Sequence, residues 1–219
     1  MYQGPQLFLN LFNNLAIFIV LIFLFGMLCR MRLPNPWVRQ LLMGLLFGAT
    51  ILCVMVVRLR VAEGVVVDQR NAIIVLATLF GGPLSGLISV CFASGMRLAI
   101  GGIGVLSGIA GTMLSFVAGM VLRRWNGKER SPAFFVLGSL FATLVILPGF
   151  LVYEDLATGW ALLQRMALPY GLAICLGMTL VGMLLQREQN RFHGELRLAA
   201  SERKYRQLYE NLIDIDFEV

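Results

Sequence analysis

Long apolar blocks, and no sustained alternation, organise this chain. The first runs from about residue 7 to 29 and the second from about 41 to 57; later ones cover about 132–152 and 161–186. Runs of that length with so few charges predict helices that cross a bilayer. Between them lies a stretch rich in small residues, about 64–122, interrupted at Gly81-Gly82-Pro83 and again at Arg97 with Gly101-Gly102. The connections are polar. RMRLPNPWVRQ holds Pro34 and Pro36, which break a helix, and Trp37, which suits a membrane interface. RLRVAEGVVVDQR (58–70) predicts a polar loop and RRWNGKER (123–130) a basic one, while Tyr153, Glu154, Asp155 and Gly159 separate the last two blocks.

Topology turns on the Gly-Gly-Pro break. Pro83 cannot donate a backbone hydrogen bond and glycine is a weak helix former. One kinked span over 71–97 gives six spans with the N-terminus inside. A tight turn at Gly81–Pro83 gives seven helices with the N-terminus outside. Loop charges do not separate the two. The hairpin is preferred, because its two outer loops, 58–70 and around 153–155, then hold the acids of the membrane part apart from Glu129. The expected fold is therefore an all-α polytopic membrane protein, a bundle of six to seven transmembrane helices with a short helix hairpin at Gly81-Gly82-Pro83. Small residues recur at fourfold spacing in Gly44/Gly48, Gly82/Gly86, Gly104/Gly108 and Gly111/Ser115/Gly119. Such rows let helices approach closely in lipid. They are expected to build the bundle, with Gly104–Gly119 as an alternative homodimer face.

The tail differs in kind. QREQNRFHGELRLAASERKYRQLYENL is charged and helical in pattern, and Phe192, Leu196 and Ala199 continue a heptad seam from Leu185. Arg203 and Arg206 break that register, Tyr205, Leu208 and Leu212 mark a new apolar face, and Ser201 can cap a new helix. In the closing IDIDFEV, apolar residues alternate with acids, which predicts a half-buried strand. One strand cannot bury its face alone, so a soluble domain is expected to begin there and continue beyond. The expected divisions are 1–34 (first helix and loop), 35–186 (membrane sensor), 187–212 (signalling helix) and 213–219 (start of a further domain).

Composition sharpens this picture. The chain is 58% hydrophobic and 14% charged, against roughly 25% charged for soluble domains. The net charge of +6 resides in the membrane part: residues 1–186 hold 12 Lys/Arg and 5 Asp/Glu, and residues 187–219 hold 6 and 7. Lys and Arg in short loops anchor topology; with no basic stripe on a soluble domain, nucleic acid is excluded as a partner. Cys29, Cys53, Cys91 and Cys175 each stand in an apolar block, and His193 is the single histidine, so neither a disulfide framework nor a metal site is expected. The glycines are no phosphate loop, since no Lys-Ser/Thr follows them. The segment carries no catalytic constellation and implies no cofactor.

Two stretches resemble known families. Asp68-Gln69-Arg70, LATLFGGPLSG (76–86), Gly95-Met96-Arg97, Gly101-Gly102 and Gly108 resemble the LytS-type five-transmembrane receptor domain. That family has an Arg before a helix, a Gly-Gly-Pro-x-x-Gly turn and a (His/Tyr)-Arg-x-x-x-Gly-Gly element. Met96 stands where His or Tyr is usual, and Gly108 and Gly111 where some members have polar residues. The resemblance implies an input module of a histidine kinase or diguanylate cyclase; some members respond to small carboxylates such as pyruvate. SERKYRQLYENLIDIDFEV (201–219) resembles the opening of a PAS domain. The Gly-Pro-x-x-Gly turn is also similar to the vitamin-binding membrane subunits of energy-coupling-factor transporters, which supplies the alternative function, substrate capture for transport. A third reading is a plain membrane anchor that dimerises an output domain.

Arg70 and Arg97 are the leading site candidates. Ionisable groups near a membrane core are costly and suggest function, although each Arg can also snorkel to headgroups. In the hairpin topology the two lie at the outer ends of adjacent helices and can clamp a carboxylate through paired guanidinium forks. Asp68 is a candidate partner of either arginine. Gly101, Gly102 and Gly104 leave room and backbone donors beside Arg97, and the next helix is expected to start near Gly104 and aim its N-terminus at the same place. Arg58 and Arg60 are read as interface anchors. The expected protein is a bacterial inner-membrane receptor that senses a small external anion and passes a signal through 187–212. Its expected assembly is a parallel homodimer touching along 185–199, with a cytoplasmic C-terminus.

Overall fold

The structure is a computed structural model, and its described residues are 4–31, 33, 35–56, 59–62, 65–67, 69–102, 104–125, 130–152 and 156–216. Within them the order is α1 (Gly4–Arg30), α2 (Pro36–Val56), β1 (Leu59–Ala62), β2 (Val65–Val67), α3 (Arg70–Leu76), α4 (Pro83–Ile100), α5 (Val105–Trp125), α6 (Pro132–Ile146) and α7 (Leu156–Asp216). A π-helical turn, Ala77–Gly81, continues α3, and a 3-10 turn, Leu147–Leu151, continues α6. The protein is a polytopic helical membrane bundle. Five helical stretches are long and apolar enough to span: Pro36–Val56, Pro83–Ile100, Val105–Trp125, Pro132–Leu151 and Leu156–Phe192. The apolar stretches Leu15–Arg30 and Arg70–Gly81 are shorter.

The helix starts follow from local chemistry. Proline at the first helical position loses no needed N–H, and Pro36, Pro83 and Pro132 open α2, α4 and α6. The Asn35 side chain accepts from Trp37 N at 2.9 Å, and Ser131 accepts from Phe134 N at 3.3 Å. Each satisfies an amide that the first turn leaves without a helical partner. The 58–70 stretch departs from its expected loop, because Leu59–Ala62 and Val65–Val67 pair as an antiparallel hairpin. Its β-branched Val run satisfies backbone groups across the pair.

The Gly-Gly-Pro break is a hairpin between two helices. In one continuous helix Thr78 and Gly86 would stand roughly 12 Å apart. Here a Cβ on Gly86 would collide with Thr78 Oγ1. Gly82 has φ 103°, a conformation that only glycine adopts cheaply, and a side chain there would also strike Gln40. Gln40 Oε1 in turn accepts from Leu84 N at 3.2 Å, closing the α4 N-terminus.

The short helix α3 is the centre of the bundle. Every residue from Asn71 to Leu79 is buried, as an all-apolar helix requires. Helices α2, α4, α5 and α7 pack around it, and α1 lies against α2 and α7. Small residues make these approaches possible. On α2, Gly44 faces Ile88 and Ser85, and Gly48 faces Phe92 of α4. On α5, Gly119 faces Thr78 and the carbonyl of Val75. Gly108 and Gly111 also point inward, so within the chain the α5 row builds the bundle.

Two expectations about the tail are corrected. Helix α7 passes through Ser201 without a break and continues to Asp216, so no new helix starts at Ser201. Residues Ile213–Asp216 are helical, not extended. Residues 217–219 lie outside the described residues.

Candidate functional site

Both ends of α3 carry arginines. At the Gly81 end, the last carbonyls of the π-helical turn receive donors from neighbouring elements. Arg123 Nη1 donates to Thr78 O at 3.3 Å and Leu79 O at 3.4 Å, and Arg130 Nη2 donates to Leu79 O at 3.4 Å. The Arg130 guanidinium also lies 5.1 Å from the centre of the Phe80 ring. Cations at a helix C-terminus meet the orphan carbonyls and the negative end of the dipole. This arrangement is structural.

The opposite end differs. Arg70 is the first residue of α3 and Arg97 lies in the last turn of α4, and both are half-buried. Because the chain folds back at Gly82, the two side chains arrive at one place, above α5. A Cβ on Gly108 would lie 2.9 Å from Arg97 Nε and 3.1 Å from Arg70 Nη2. The absent side chain of Gly108 is what allows both guanidiniums to sit there. The site lies roughly 20 Å along α4 from the Gly82 turn.

Other polar groups line the same level. Arg97 Nε donates to Gly104 O at 3.3 Å. Asn71, buried at the start of α3, donates to Tyr170 Oη at 2.5 Å, and the Tyr170 ring stands edge-on to Phe150 with centroids 5.2 Å apart. Ser94 and Thr112 share a hydrogen bond at 3.3 Å between α4 and α5. Gln69 packs on Gly177 of α7, and Gly111 lies against Asn71 Nδ2. Sequence reasoning passed over Gln69, Asn71 and Tyr170. Their signal was polarity beside an apolar run: Gln69 and Asn71 flank Arg70, and Tyr170 interrupts the apolar face of α7.

The remaining candidates divide. Gly101 and Gly102 have φ of 68° and 93°, and no atom lies within 4 Å of a Cβ built on either. The Gly101 amide is already engaged, donating to Arg97 O at 3.1 Å. Gly104 contributes its carbonyl to Arg97, as an acceptor and not as a donor, and α5 starts at Val105. Asp68 and Arg58 lie outside the described residues, and the side chain of Arg60 is not among those described.

No curated protein and no solved structure matches the chain significantly. A model of one family does match, over residues 15–188, described as the 5TMR of 5TMR-LYT. The turn at Gly81-Gly82-Pro83, the arginines at the far end of the hairpin and five long spans are features of this same stretch. The chain belongs to the LytS-type five-transmembrane receptor family, 5TMR-LYT, whose domain is the membrane sensory part of signalling proteins.

Proposed function

We propose that this domain is the input of a bacterial inner-membrane receptor, and that Arg70 and Arg97 together bind a small external anion, a carboxylate by preference. One observation carries the reading: the hairpin brings two guanidiniums from different helices to a single point over Gly108. A planar carboxylate matches paired guanidinium forks. Gly101 and Gly102 leave open space at the end of α4 for entry. Asp68 is proposed to orient Arg70. The Arg70 end faces outward and the basic Arg123–Arg130 end faces the cytoplasm, as the bias of Lys and Arg toward cytoplasmic loops supports.

The signal leaves through α7. This helix carries the span Leu156–Phe192 and continues to Asp216 without interruption, so displacement at Tyr170 can travel along one rigid element. The proposed output is a PAS domain followed by a diguanylate cyclase, with a histidine kinase as second choice, in a parallel homodimer that touches along 185–199. Cysteines placed singly at Asn35, Glu63 and Asn126 test the orientation: an impermeant reagent on intact cells labels Glu63 alone, and labelling of Asn35 without Glu63 rejects it.

Binding tests the ligand. Detergent-purified protein titrated calorimetrically with a panel of small carboxylates is expected to bind one or more of them. Loss of a charge-assisted contact costs about 2–5 kcal/mol, so Arg97→Ala should lower affinity at least about thirtyfold. Retained affinity in Arg97→Ala, or no binding by any member of the panel, refutes the reading.

A further inference from the structure

A second site lies at the other end of the bundle. Between the start of α6 and α7 is a cavity of about 400 Å³. Its polar side is Arg130, Arg187 and Asn190, and its apolar side includes Phe135, Met183 and Leu184. Both cations lie at the ends of membrane spans, where α6 begins and where α7 leaves its apolar stretch. Gln186 Nε2 donates to Asn190 Oδ1 at 2.7 Å, which leaves the Asn190 amide nitrogen as a donor. Arg130 has a buried Nε with no hydrogen-bond partner among the described residues. Burial, and then the charge of Arg123, lower the Arg130 pKa to about 10, so it stays cationic at neutral pH. No carboxylate pairs with Arg130 or Arg187 among the described residues.

An apolar track leads into this basic corner. Leu168, Leu172, Leu176, Leu180 and Leu184 recur every fourth residue on α7, and all are exposed. Spacing of four aligns them as a stripe along one face, and its last two members line the cavity. We infer that the Arg130–Arg187 cavity binds the headgroup of an anionic phospholipid from the leaflet at that end, with an acyl chain lying along the leucine stripe of α7. Charge and shape agree: a phosphodiester is a single anion that guanidiniums bind well, and basic pockets between helices near the membrane surface take such headgroups. Arg130 also holds Leu79 O at the end of α3, so the lipid would clamp α3 to α7 at the point opposite the Arg70 site.

The test uses the whole chain purified in neutral detergent. Phosphatidylglycerol, phosphatidylcholine and inorganic phosphate are added at equal concentration, and thermal midpoint and lipid retention in native mass spectrometry are read. Phosphatidylglycerol should raise the midpoint and remain bound, with an apparent affinity at least about tenfold above that of phosphatidylcholine, a difference of ~1.4 kcal/mol. R187Q should abolish that preference. Arg187 is exposed and has no recorded packing role, so this variant stays folded where R130Q loses a contact to α3. R165Q, on the exposed surface near the other end of α7, should keep the preference. Equal binding of phosphatidylcholine, unchanged retention in R187Q, or protection by inorganic phosphate equal to that of the lipid overturns the proposal. So does a dimer that forms through the leucine stripe and excludes lipid.

Discussion

At one end of α3, two arginines dock on carbonyls of the π-helical turn; at the other, two arginines meet over a glycine. Residue type does not separate these pairs, and both are half-buried or at the edge of the bundle. What separates them is what the two side chains meet. Arg123 and Arg130 reach Thr78 O and Leu79 O from α5 and from the loop before α6, which satisfies a helix end that would otherwise leave carbonyls unpaired in an apolar medium. Arg70 and Arg97 come together from two helices over Gly108, whose missing side chain leaves the space their guanidiniums occupy, and Arg97 also donates to Gly104 O. An arginine that donates to the carbonyls of a helix C-terminus therefore reads as capping. Two that converge from different helices over one glycine are the pair proposed to hold an anion.

The comparison breaks most readily at Gly108. Leucine there keeps both charges but presses on both guanidiniums, and overpacking of this kind costs about 1–3 kcal/mol of stability. Carboxylate affinity in Gly108→Leu should fall about tenfold or more and the thermal midpoint should fall with it, as calorimetry and a melting curve would show. A parent-like affinity means that the place over Gly108 is not the site. Tyr170→Phe comes next. It leaves the buried Asn71 amide without its acceptor, which costs about 1–3 kcal/mol of stability, seen as a lower midpoint that asparagine-to-leucine replacement at 71 partly restores. Arg123→Ala sharpens the contrast from the other end: stability should fall by about 1–2 kcal/mol through lost carbonyl contacts, while carboxylate affinity changes less than about threefold, under ~0.7 kcal/mol. Arg165→Ala, exposed on α7, should change neither reading beyond error.

Much of this fold was legible in the chain. Block lengths announced the long spans, and Gly-Gly-Pro announced the hairpin, since Pro83 suits a first helical turn and Gly82 a left-handed φ. From the hairpin, the meeting of Arg70 with Arg97 followed. Other features depended on contacts that no local pattern carries. The β1–β2 pair was hidden by Arg58, Arg60 and Glu63, whose charges suggested a loop although the Val run favours a strand. The π-helical turn meets Arg123 and Arg130, far away in sequence, at its last carbonyls. Alternation in IDIDFEV suggested a strand, but α7 keeps Ile213–Asp216 helical. The glycine row on α5 has the spacing of a dimer face, and only packing shows that Thr78, Asn71 and the arginines occupy it.

A double-mutant cycle tests the central claim, that Arg70 and Arg97 act on one anion. Lysine keeps the charge and removes the fork, so affinities of the parent, Arg70→Lys, Arg97→Lys and the double variant for the best carboxylate would be compared by calorimetry. Residues that share a bound group are non-additive, with coupling of about 0.5–3 kcal/mol. The account predicts that each single change weakens binding and that the double variant is weaker than either by clearly less than the product of the two losses. Strictly multiplicative losses, or a single variant that binds as the parent does, would contradict it.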